Sequence, residues 1–241
     1  MAKVFITGST DGLGLLAARM LLSEGCDVVL HARNPQRADE AKRLLPEAKA
    51  VLMADLADME ATKRLASEVN AMGPFDAIIH NAGVYQAPKP LIFAVNVLAP
   101  YLLTALITPP KRLIYLGSNM HLQGNPDISR LCVQQGAGYS DSKLYVLMLA
   151  LAVARKWPAC QVYTVDPGWV PTKMGGPGAP DDLNQGAQTQ VWLAHAKEVP
   201  PGGSYLFHMK PARRHERADD PSAQEQLLRL CHALSTIPFP A

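Results

Sequence analysis

Tyr139 and Lys143 are spaced so that a phenol and an ammonium group could act together in proton transfer. They precede an apolar run at 144–155 that is dense in helix-forming residues, and a spacing of four places two side chains on one helical face. A free phenol has a pKa of about 10. We therefore expect the Lys143 ammonium to lower the pKa of Tyr139 by favouring the phenolate.

A second pair with the same spacing, Tyr85 and Lys89, competes with the first. Pro88 lies inside this pair, and the fixed φ and missing N–H of proline disfavour a helix interior. The sequence therefore predicts no shared helical face at 85–89 and no part for this pair in catalysis.

A glycine-rich loop near the start of the chain could hold a dinucleotide. An apolar strand is followed by Thr7-Gly8-Ser9-Thr10-Asp11-Gly12-Leu13-Gly14. Gly8 would end the strand while Gly12 and Gly14 open a helix, which lets backbone N–H groups approach a pyrophosphate. The spacing differs from the more familiar G-x-G-x-x-G, and a plain glycine turn is the alternative for this motif alone.

The end of the second strand bears on the choice of cofactor. An acidic residue there would bind the ribose 2′-hydroxyl of NAD, whereas this chain has Ala32-Arg33-Asn34. Arg33 offers a planar cation suited to a 2′-phosphate. The sequence favours NADP(H), with an unliganded surface arginine as the alternative for Arg33.

Composition limits the classes of protein to which this chain could belong. The 241 residues are 48% hydrophobic and 18% charged, enough for one large core and a single domain over 1–241. A net charge of +2 and a basic run at 213–217 interrupted by acid argue against a nucleic-acid partner.

The cysteines and the apolar segments bear on compartment. Four widely spaced cysteines indicate reduced thiols and no metal site. The first strand begins at residue 3 with no long apolar leader, and no eighteen-residue apolar stretch without charge is evident. We expect a cytoplasmic protein without a membrane span.

Alternating β-branched and helical segments predict the fold. Strands are expected at 3–7, 27–32, 50–53, 76–80, 112–117 and 161–165, and helices near 13–24, 36–45, 58–71, 94–107, 139–156 and 185–197. Apolar strands separated by helices predict an α/β, doubly wound Rossmann fold, with a parallel sheet of about seven strands covered on both faces. Glycine and proline at 175–180 predict a substrate lid near 172–190.

Taken in order, these motifs resemble the short-chain dehydrogenase/reductase family over essentially the whole chain. The matching segments are Thr7-Gly8-x-x-x-Gly12-x-Gly14, Asp55-Leu56, Asn81-Ala82-Gly83, Asn96, Ser118, Tyr139-x-x-x-Lys143 and Pro167-Gly168-x-x-x-Thr172. Within the family the chain is most similar to the retinol dehydrogenase-like group, through residues 32–34, the long 118–139 segment and residues 167–174.

The resemblance implies catalytic roles for four residues. Tyr139 would exchange a proton with a substrate oxygen, Ser118 would hydrogen-bond the carbonyl, Lys143 would hold the nicotinamide ribose, and Asn96 would maintain a water relay to Lys143. As alternatives, Ser118 and Asn96 could cap local structure, as could Asp55. His121 is expected to be a loop histidine near the cleft mouth rather than an acid.

The resemblance also implies a cofactor site. Asp55 would face the adenine, Asn81 and Gly83 the adenosine ribose, and Thr172 the nicotinamide carboxamide. The full expected set is Gly8, Ser9, Thr10, Asp11, Gly12, Leu13, Gly14, Arg33, Asp55, Leu56, Asn81, Ala82, Gly83, Tyr139, Lys143, Pro167, Gly168, Val170 and Thr172. Candidates for the substrate side, or for core and lid packing, are Met120, Leu122, Leu131, Trp169 and Met174.

Two segments are shorter than the family pattern, Gly83 to Asn96 and Asn96 to Ser118. The shortening should remove surface from the helices that commonly form the family's oligomer contact, so a tetramer is not assumed and a homodimer stays open.

The expected activity is that of an NADP(H)-dependent carbonyl reductase or alcohol dehydrogenase acting on an apolar ketone, aldehyde or secondary alcohol. A non-catalytic NADP-binding sensor is the alternative, which the intact Ser118, Tyr139 and Lys143 disfavour. An epimerase or dehydratase is disfavoured by the short C-terminal part.

Overall fold

One eight-stranded sheet forms the centre of the protein in the computed structural model, which describes residues 1–129 and 131–240. The strands are β1 (Lys3–Ile6), β2 (Asp27–Ala32), β3 (Ala50–Met53), β4 (Ala77–His80), β5 (Arg112–Leu116), β6 (Gln161–Asp166), β7 (Ser204–Phe207) and β8 (Lys210–Pro211). Their order is β3-β2-β1-β4-β5-β6-β7-β8, and β7–β8 is the antiparallel pair in an otherwise parallel sheet. The predicted doubly wound α/β fold is confirmed.

Helices cover both faces of this sheet. They are α1 (Gly12–Ser23), α2 (Pro35–Leu44), α3 (Met59–Ala71), α4 (Lys89–Phe93), α5 (Ala99–Leu106), α6 (Tyr139–Lys156), α7 (Leu183–His195) and α8 (Pro221–Ser235). Successive strand residues point to opposite faces, which gives two cores. One includes Phe5 and Tyr115 with side chains of α3, α5, α6 and α8, and the other includes Ile6 and Tyr163 with side chains of α1, α2 and α7.

The run from Lys89 to Leu106 is helical throughout but changes its winding. A π-helical turn, Ala94–Leu98, separates α4 from α5 and contains the predicted site residue Asn96. Such turns are frequent at functional sites. This run is long and apolar enough to cross a membrane by length and composition, but 67% of it is buried inside the protein, as in a core helix.

The strand order places the functional site. The chain order reverses between β1 and β4: β1 pairs with β2 on one side, where Ile6 lies opposite Leu30, and with β4 on the other, where Ile6 lies opposite Ile79. Ligands of open α/β sheets bind at the carboxyl ends of the strands at such a switch point. The loops after β1, β2 and β4 therefore meet at one crevice, together with the loops after β5 and β6.

Candidate active site

The glycine loop after β1 folds against the loop after β4. Gly8 has φ +63, and a Cβ there would lie 2.8 Å from the Cα of Ala82. The Asn81 amide donates 3.0 Å hydrogen bonds to the carbonyls of Thr7 and Gly8. Its amide also fills the space at Gly14, where a Cβ would lie 2.4 Å away. Asn81 therefore shapes the loop through its own side chain.

The first turn of α1 faces the crevice. The Asp11 carboxylate caps the helix by accepting a 2.8 Å bond from the Gly12 N–H. The first N–H groups of a helix have no partner inside it, and they attract anions. Lys173, at 2.5 Å, and Arg37, at 3.7 Å, balance the Asp11 charge. Burial acts to raise the pKa of Asp11, but Lys173, Gly12 and Arg37 outweigh it and the pKa is lowered.

Arg33 stands exposed just after β2 and lines the crevice. In residues 1–129 and 131–240 its side chain has no ion-pair or hydrogen-bond partner. Arg37, in the first turn of α2, lines the same crevice and pairs with Glu40 at 3.0 Å. Sequence reasoning missed Arg37, although its place four residues after Arg33 on a helix that begins at Pro35 was a usable signal.

A single cleft of about 580 Å³ brings most of the expected residues together. It is lined by Gly8, Thr10, Asp11, Gly12, Leu13, Gly14, Arg33, Asp55, Leu56, Asn81, Ala82, Gly83, Tyr139, Lys143, Pro167 and Thr172, among others. Within the described residues its lining does not include Ser9, Asn96, Ser118, Gly168 or Val170.

Ser9 and Val170 are buried and serve the structure around the cleft. The Ser9 hydroxyl donates to the Ile6 carbonyl and accepts from the His31 N–H, both at 2.9 Å. Gly168 has φ +80, and a Cβ there would lie 2.5 Å from an Asp181 oxygen. Contact of these residues with a cofactor stays a prediction.

Tyr139 opens α6, and its hydroxyl lies near Ser118. Burial raises the pKa of Tyr139 to about 12, Ser118 opposes this, and Asp166 and Tyr85 raise it further. The expected lowering by Lys143 is therefore wrong here. The Lys143 Nζ lies 5.5 Å from the Tyr139 ring centroid and donates a 2.7 Å bond to the Leu116 carbonyl instead.

Lys143 is only 6% exposed. Burial lowers the pKa of Lys143 to about 8, and the Asp166 carboxylate opposes that lowering. The ammonium is still the prevailing form at neutral pH, but a modest change in its surroundings would alter its charge.

Asn96 joins three parts of the site. Its Oδ1 accepts from the Val84 N–H at 2.8 Å, and its Nδ2 donates to the Val84 carbonyl and the Ser142 hydroxyl, both at 3.0 Å. A Cβ on Gly83 would lie 3.4 Å from this Oδ1 and 3.7 Å from the Lys143 Nζ. Asn96 therefore fixes the loop after β4 beside Lys143, from inside the π-helical turn rather than as a helix cap. A water relay stays a prediction.

The capping alternatives apply to two other residues. The Ser118 Oγ accepts from the Met120 N–H at 3.3 Å, at the start of a 3₁₀ turn, Asn119–Gln123. Asp55 accepts from the Ala57 N–H at 3.0 Å, while Asp58 caps α3. Asp55 therefore forms a local cap and also lines the cleft. Ser118 forms a local cap and directly follows Gly117, which lines the cleft.

Tyr85 contacts the site although it is not on a helix with Lys89. It lies before α4 and shares no helical face with Lys89, but its ring contacts Tyr139 edge-on, with centroids 4.7 Å apart. The predicted absence of a shared helical face is confirmed, and the lack of a catalytic part for this pair stays a prediction. The ring contact was not expected, and it arises because the fold returns the loop after β4 to the start of α6.

His121 is not at the cleft mouth. It is 1% exposed, and its Nδ1 bonds the Ser118 carbonyl at 2.6 Å, which requires the proton on Nδ1. Its Nε2 then accepts from the His215 N–H at 3.2 Å, and its ring lies 4.7 Å from that of Tyr205. Burial lowers the pKa of His121. The expectation of a mouth histidine is wrong, and the residue supports Ser118 from behind.

The candidate substrate side is only partly as expected. Met174 lines the cleft, and it is joined by Val84, Leu91 and Val95, which were not predicted. The remaining candidates lie outside the lining: Met120 and Leu131 are half-buried, and Leu122 and Trp169 are exposed.

The predicted lid at 172–190 consists of a loop and the first part of helix α7. Residues 183–190 belong to α7, which Asp182 caps and which buries Ala187 and Gln190. The loop before it is tied down by the Trp169 Nε1, which donates to the Gly175 carbonyl at 2.8 Å, and by Lys173 on Asp11. A lid is therefore limited to about 171–182.

Comparison with known proteins identifies the family. The family model described as short chain dehydrogenase matches residues 2–182. The chain belongs to the short-chain dehydrogenase/reductase family. An uncharacterized oxidoreductase of Emericella nidulans is 42% identical over 259 residues, covering 100% of this chain and 99% of its own. Human retinol dehydrogenase 14 is 28% identical over 279 residues, covering 93% and 83%, which agrees with the predicted likeness to the retinol dehydrogenase-like group.

Solved structures share the fold. A putative uncharacterized protein from Mycobacterium paratuberculosis superposes with a TM-score of 0.83 and 25% identity, covering 100% of this chain and 96% of its own. A blue fluorescent protein from a metagenomic library, solved in complex with NADPH, gives a TM-score of 0.72 at 21% identity and covers 86% and 95%. The protein is an oxidoreductase of this family, whose members bind nicotinamide cofactors.

Proposed function

We propose that this oxidoreductase is an NADP(H)-dependent carbonyl reductase or alcohol dehydrogenase acting on an apolar ketone, aldehyde or secondary alcohol. The observation that carries the proposal is the one cleft of about 580 Å³ whose lining contains both the glycine loop with Arg33 and the pair Tyr139 and Lys143. A dinucleotide site and a proton-transfer site in one cleft is what hydride transfer to a carbonyl requires.

Charge at the end of β2 supports NADP(H) over NAD(H). The strand ends at Ala32 with no acidic side chain to repel a 2′-phosphate, and the exposed Arg33 is available to bind one. Arg37 adds a second cation on the same cleft. The NADPH complex of the metagenomic protein adds modest support, since that protein shares the fold.

The described residues fit a nicotinamide dinucleotide. Glycine at positions 8 and 14 lets the loop pack tightly, since a Cβ would clash with Ala82 or Asn81. The first turn of α1 lines the cleft, where its free N–H groups would bind a pyrophosphate. Lys143 would hold the nicotinamide ribose, and Asp55 and Thr172 line the same cleft. When bound, the nicotinamide supplies the hydride that reduces the carbonyl carbon.

Tyr139 would supply the proton. With its pKa raised to about 12 by burial, its phenol stays protonated at neutral pH and can donate to a carbonyl oxygen. Ser118, which lies near the same hydroxyl, would add a second hydrogen bond to that oxygen as negative charge develops there. Alcohol oxidation, the reverse direction, would instead need the phenolate to accept the proton.

Apolar side chains beside this polar centre support an apolar substrate. Leu91, Val95 and Met174 line the cleft, and Leu91 and Met174 remain exposed there. Tyr85 adds an aromatic edge beside Tyr139. Pockets of this kind bury apolar ligands while a few polar groups fix the reacting atom.

We also propose a cytoplasmic location. Its support is that Cys26, Cys132, Cys160 and Cys231 are all free thiols, as is usual where glutathione keeps thiols reduced. Localisation of a tagged chain in cells tests this proposal. A homodimer is a separate question, which sedimentation of the purified protein tests.

The activity is tested by adding NADPH and a panel of carbonyls graded in apolarity to the purified protein and following nucleotide absorbance. We expect NADPH oxidation that is fastest with apolar ketones or aldehydes and much slower with NADH. Tight NADPH binding without reduction of any carbonyl would favour the sensor function instead. Failure to bind either nucleotide would contradict the cofactor assignment.

A further inference from the structure

A buried carboxylate stands behind the catalytic residues at the end of β6. Asp166 is 5% exposed and follows Val165, which lies opposite Leu116 in the β5–β6 register. Lys143 bonds the carbonyl of that same Leu116, so its ammonium and the Asp166 carboxylate occupy neighbouring strand ends. Asp166 itself is not among the residues of the family motifs quoted from the sequence, although it directly precedes Pro167 and Gly168.

Defined hydrogen bonds hold this carboxylate in place. One oxygen accepts from the Gly168 N–H at 3.0 Å, and the other accepts from the Tyr205 hydroxyl at 3.1 Å. Gly117 makes room for this arrangement, since a Cβ there would lie 3.2 Å from the Tyr205 ring and 2.9 Å from Thr164. The glycine before Ser118 thus lets Tyr205 reach under the site.

Several titratable groups face Asp166 from the surrounding elements. They are Lys143 and Tyr139 from α6, Tyr205 from β7, and His121 from the 3₁₀ turn, with His215 beside His121. Tyr85, from the loop after β4, faces Tyr139. The carboxylate acts electrostatically on Lys143, Tyr139, His121 and Tyr205. A buried anion stabilises a nearby ammonium and destabilises a nearby phenolate.

We propose that Asp166 is a positioning residue that keeps Lys143 charged and Tyr139 protonated, and that it thereby sets the upper pH limit of the site. The consequence for binding and turnover rests on the proposed function, whereas the effect on Tyr139 does not. Burial alone drives Lys143 towards neutrality, and Asp166 is the group that opposes this. Removing the charge should therefore lower the pKa of both Lys143 and Tyr139.

The test compares Asp166→Asn with Tyr205→Phe. The first keeps the shape and removes the charge, and the second removes one hydrogen bond to the carboxylate and leaves the charge. NADPH affinity is measured by nucleotide fluorescence between about pH 6 and pH 10. Loss of the Lys143 proton should weaken NADPH binding above about pH 8 in the unmodified protein. In Asp166→Asn this fall in affinity should occur about one pH unit lower. At about pH 8 its affinity should be roughly fivefold weaker, approaching tenfold by about pH 10, with near-equal affinity at about pH 6.

A second measurement needs no nucleotide. Tyrosine labelled with ¹³C at Cζ is titrated by NMR, and the Tyr139 signal is assigned by its loss in Tyr139→Phe. In Asp166→Asn the Tyr139 signal should begin to titrate at lower pH than in the unmodified protein, with Tyr205→Phe unchanged. An unmoved Tyr139 titration, or equal shifts in both variants, would overturn the proposal. A loss of NADPH affinity that is uniform across pH would assign Asp166 a purely structural role and overturn it as well. If the unmodified protein binds no NADPH, the proposed function fails, and the tyrosine titration still decides the role of Asp166.

Discussion

The backbone N–H of Gly8 donates a 2.9 Å hydrogen bond to the Nδ1 of His31, so a buried imidazole supports the glycine loop from below. The Nε2 of the same ring bonds the Ala54 carbonyl at 3.0 Å. Nδ1 must accept and Nε2 must donate, which requires the neutral ring with its proton on Nε2. Burial lowers the pKa of His31 to about 4.

This arrangement predicts an acid-sensitive fold. The pKa of His31 is about 4 when folded and about 6.5 when unfolded, so the unfolded chain takes up the proton first as pH falls. Stability is therefore fully present above about pH 6.5 and is lost towards pH 4, by up to about 3 kcal/mol. Urea unfolding at about pH 7 and pH 4.5 measures the loss. His31→Gln, which cannot titrate, should lose about 2.4 kcal/mol less over this range, and an equal loss in both proteins would contradict the role of His31.

The fold was predictable from the sequence because apolar strands and glycine turns are local signals. All six predicted strands form, within one residue at each end. The short strand β7 was missed because Ser204-Tyr-Leu-Phe207 follows the Pro/Gly segment 200–203. Helix α8 was missed as well, although Asp220 before Pro221 is a usual helix start.

The site was predictable only where a motif carries the chemistry. Tyr139, Lys143 and the glycine loop could be found by spacing. Tyr85, Asp166 and His31 could not, because their roles depend on which strand ends and loops meet in space. The pKa of Tyr139 was expected to shift in the wrong direction, since spacing reveals a neighbouring charge and does not reveal burial.

Arg33 should decide between the two nicotinamide nucleotides. Loss of a charge-assisted hydrogen bond to phosphate costs about 1.5 to 3 kcal/mol, so Arg33→Ala should weaken NADPH roughly 10- to 150-fold and NADH far less. Fluorescence titration with both nucleotides measures this. Arg43→Ala, at the distant end of α2, is the matched control and should change neither affinity. Equal losses for NADPH and NADH in Arg33→Ala would show that no 2′-phosphate is bound there.

The loop at 171–182 should be the part of the free protein most open to proteolysis. Its ties to the body include the Lys173–Asp11 ion pair and the Trp169–Gly175 hydrogen bond. Thermolysin should cut within 173–182, and not in α7 from Leu183 onward, and Lys173→Gln should speed the cut. NADPH with a carbonyl substrate should protect the loop. First cuts elsewhere, read by mass spectrometry, would argue against a lid.

Tyr85 should affect the site through its ring and not through its hydroxyl. Tyr85→Phe keeps the edge contact with Tyr139, so we expect little change in kcat/KM. Tyr85→Ala removes a contact worth about 0.5 to 1.5 kcal/mol, so kcat/KM for an apolar ketone should fall about 2- to 10-fold. If Tyr85→Phe falls as far as Tyr85→Ala, the hydroxyl and not the ring is the important group.

Tyr139 should be indispensable for turnover and dispensable for binding. Tyr139→Phe keeps the ring against Tyr85 and deletes only the hydroxyl, which lies near Ser118. NADPH should still bind, while turnover falls about 10²- to 10⁴-fold, the usual contribution of one general acid. Lys143→Ala should weaken NADPH binding and also slow turnover, because one ammonium would hold the ribose and also set the charge around the phenol. Nucleotide titration measures the loss of binding, and single-turnover kinetics measures the loss of turnover. Near-normal reduction by Tyr139→Phe would mean that another group donates the proton, and His121 is too deeply buried behind Ser118 to replace it.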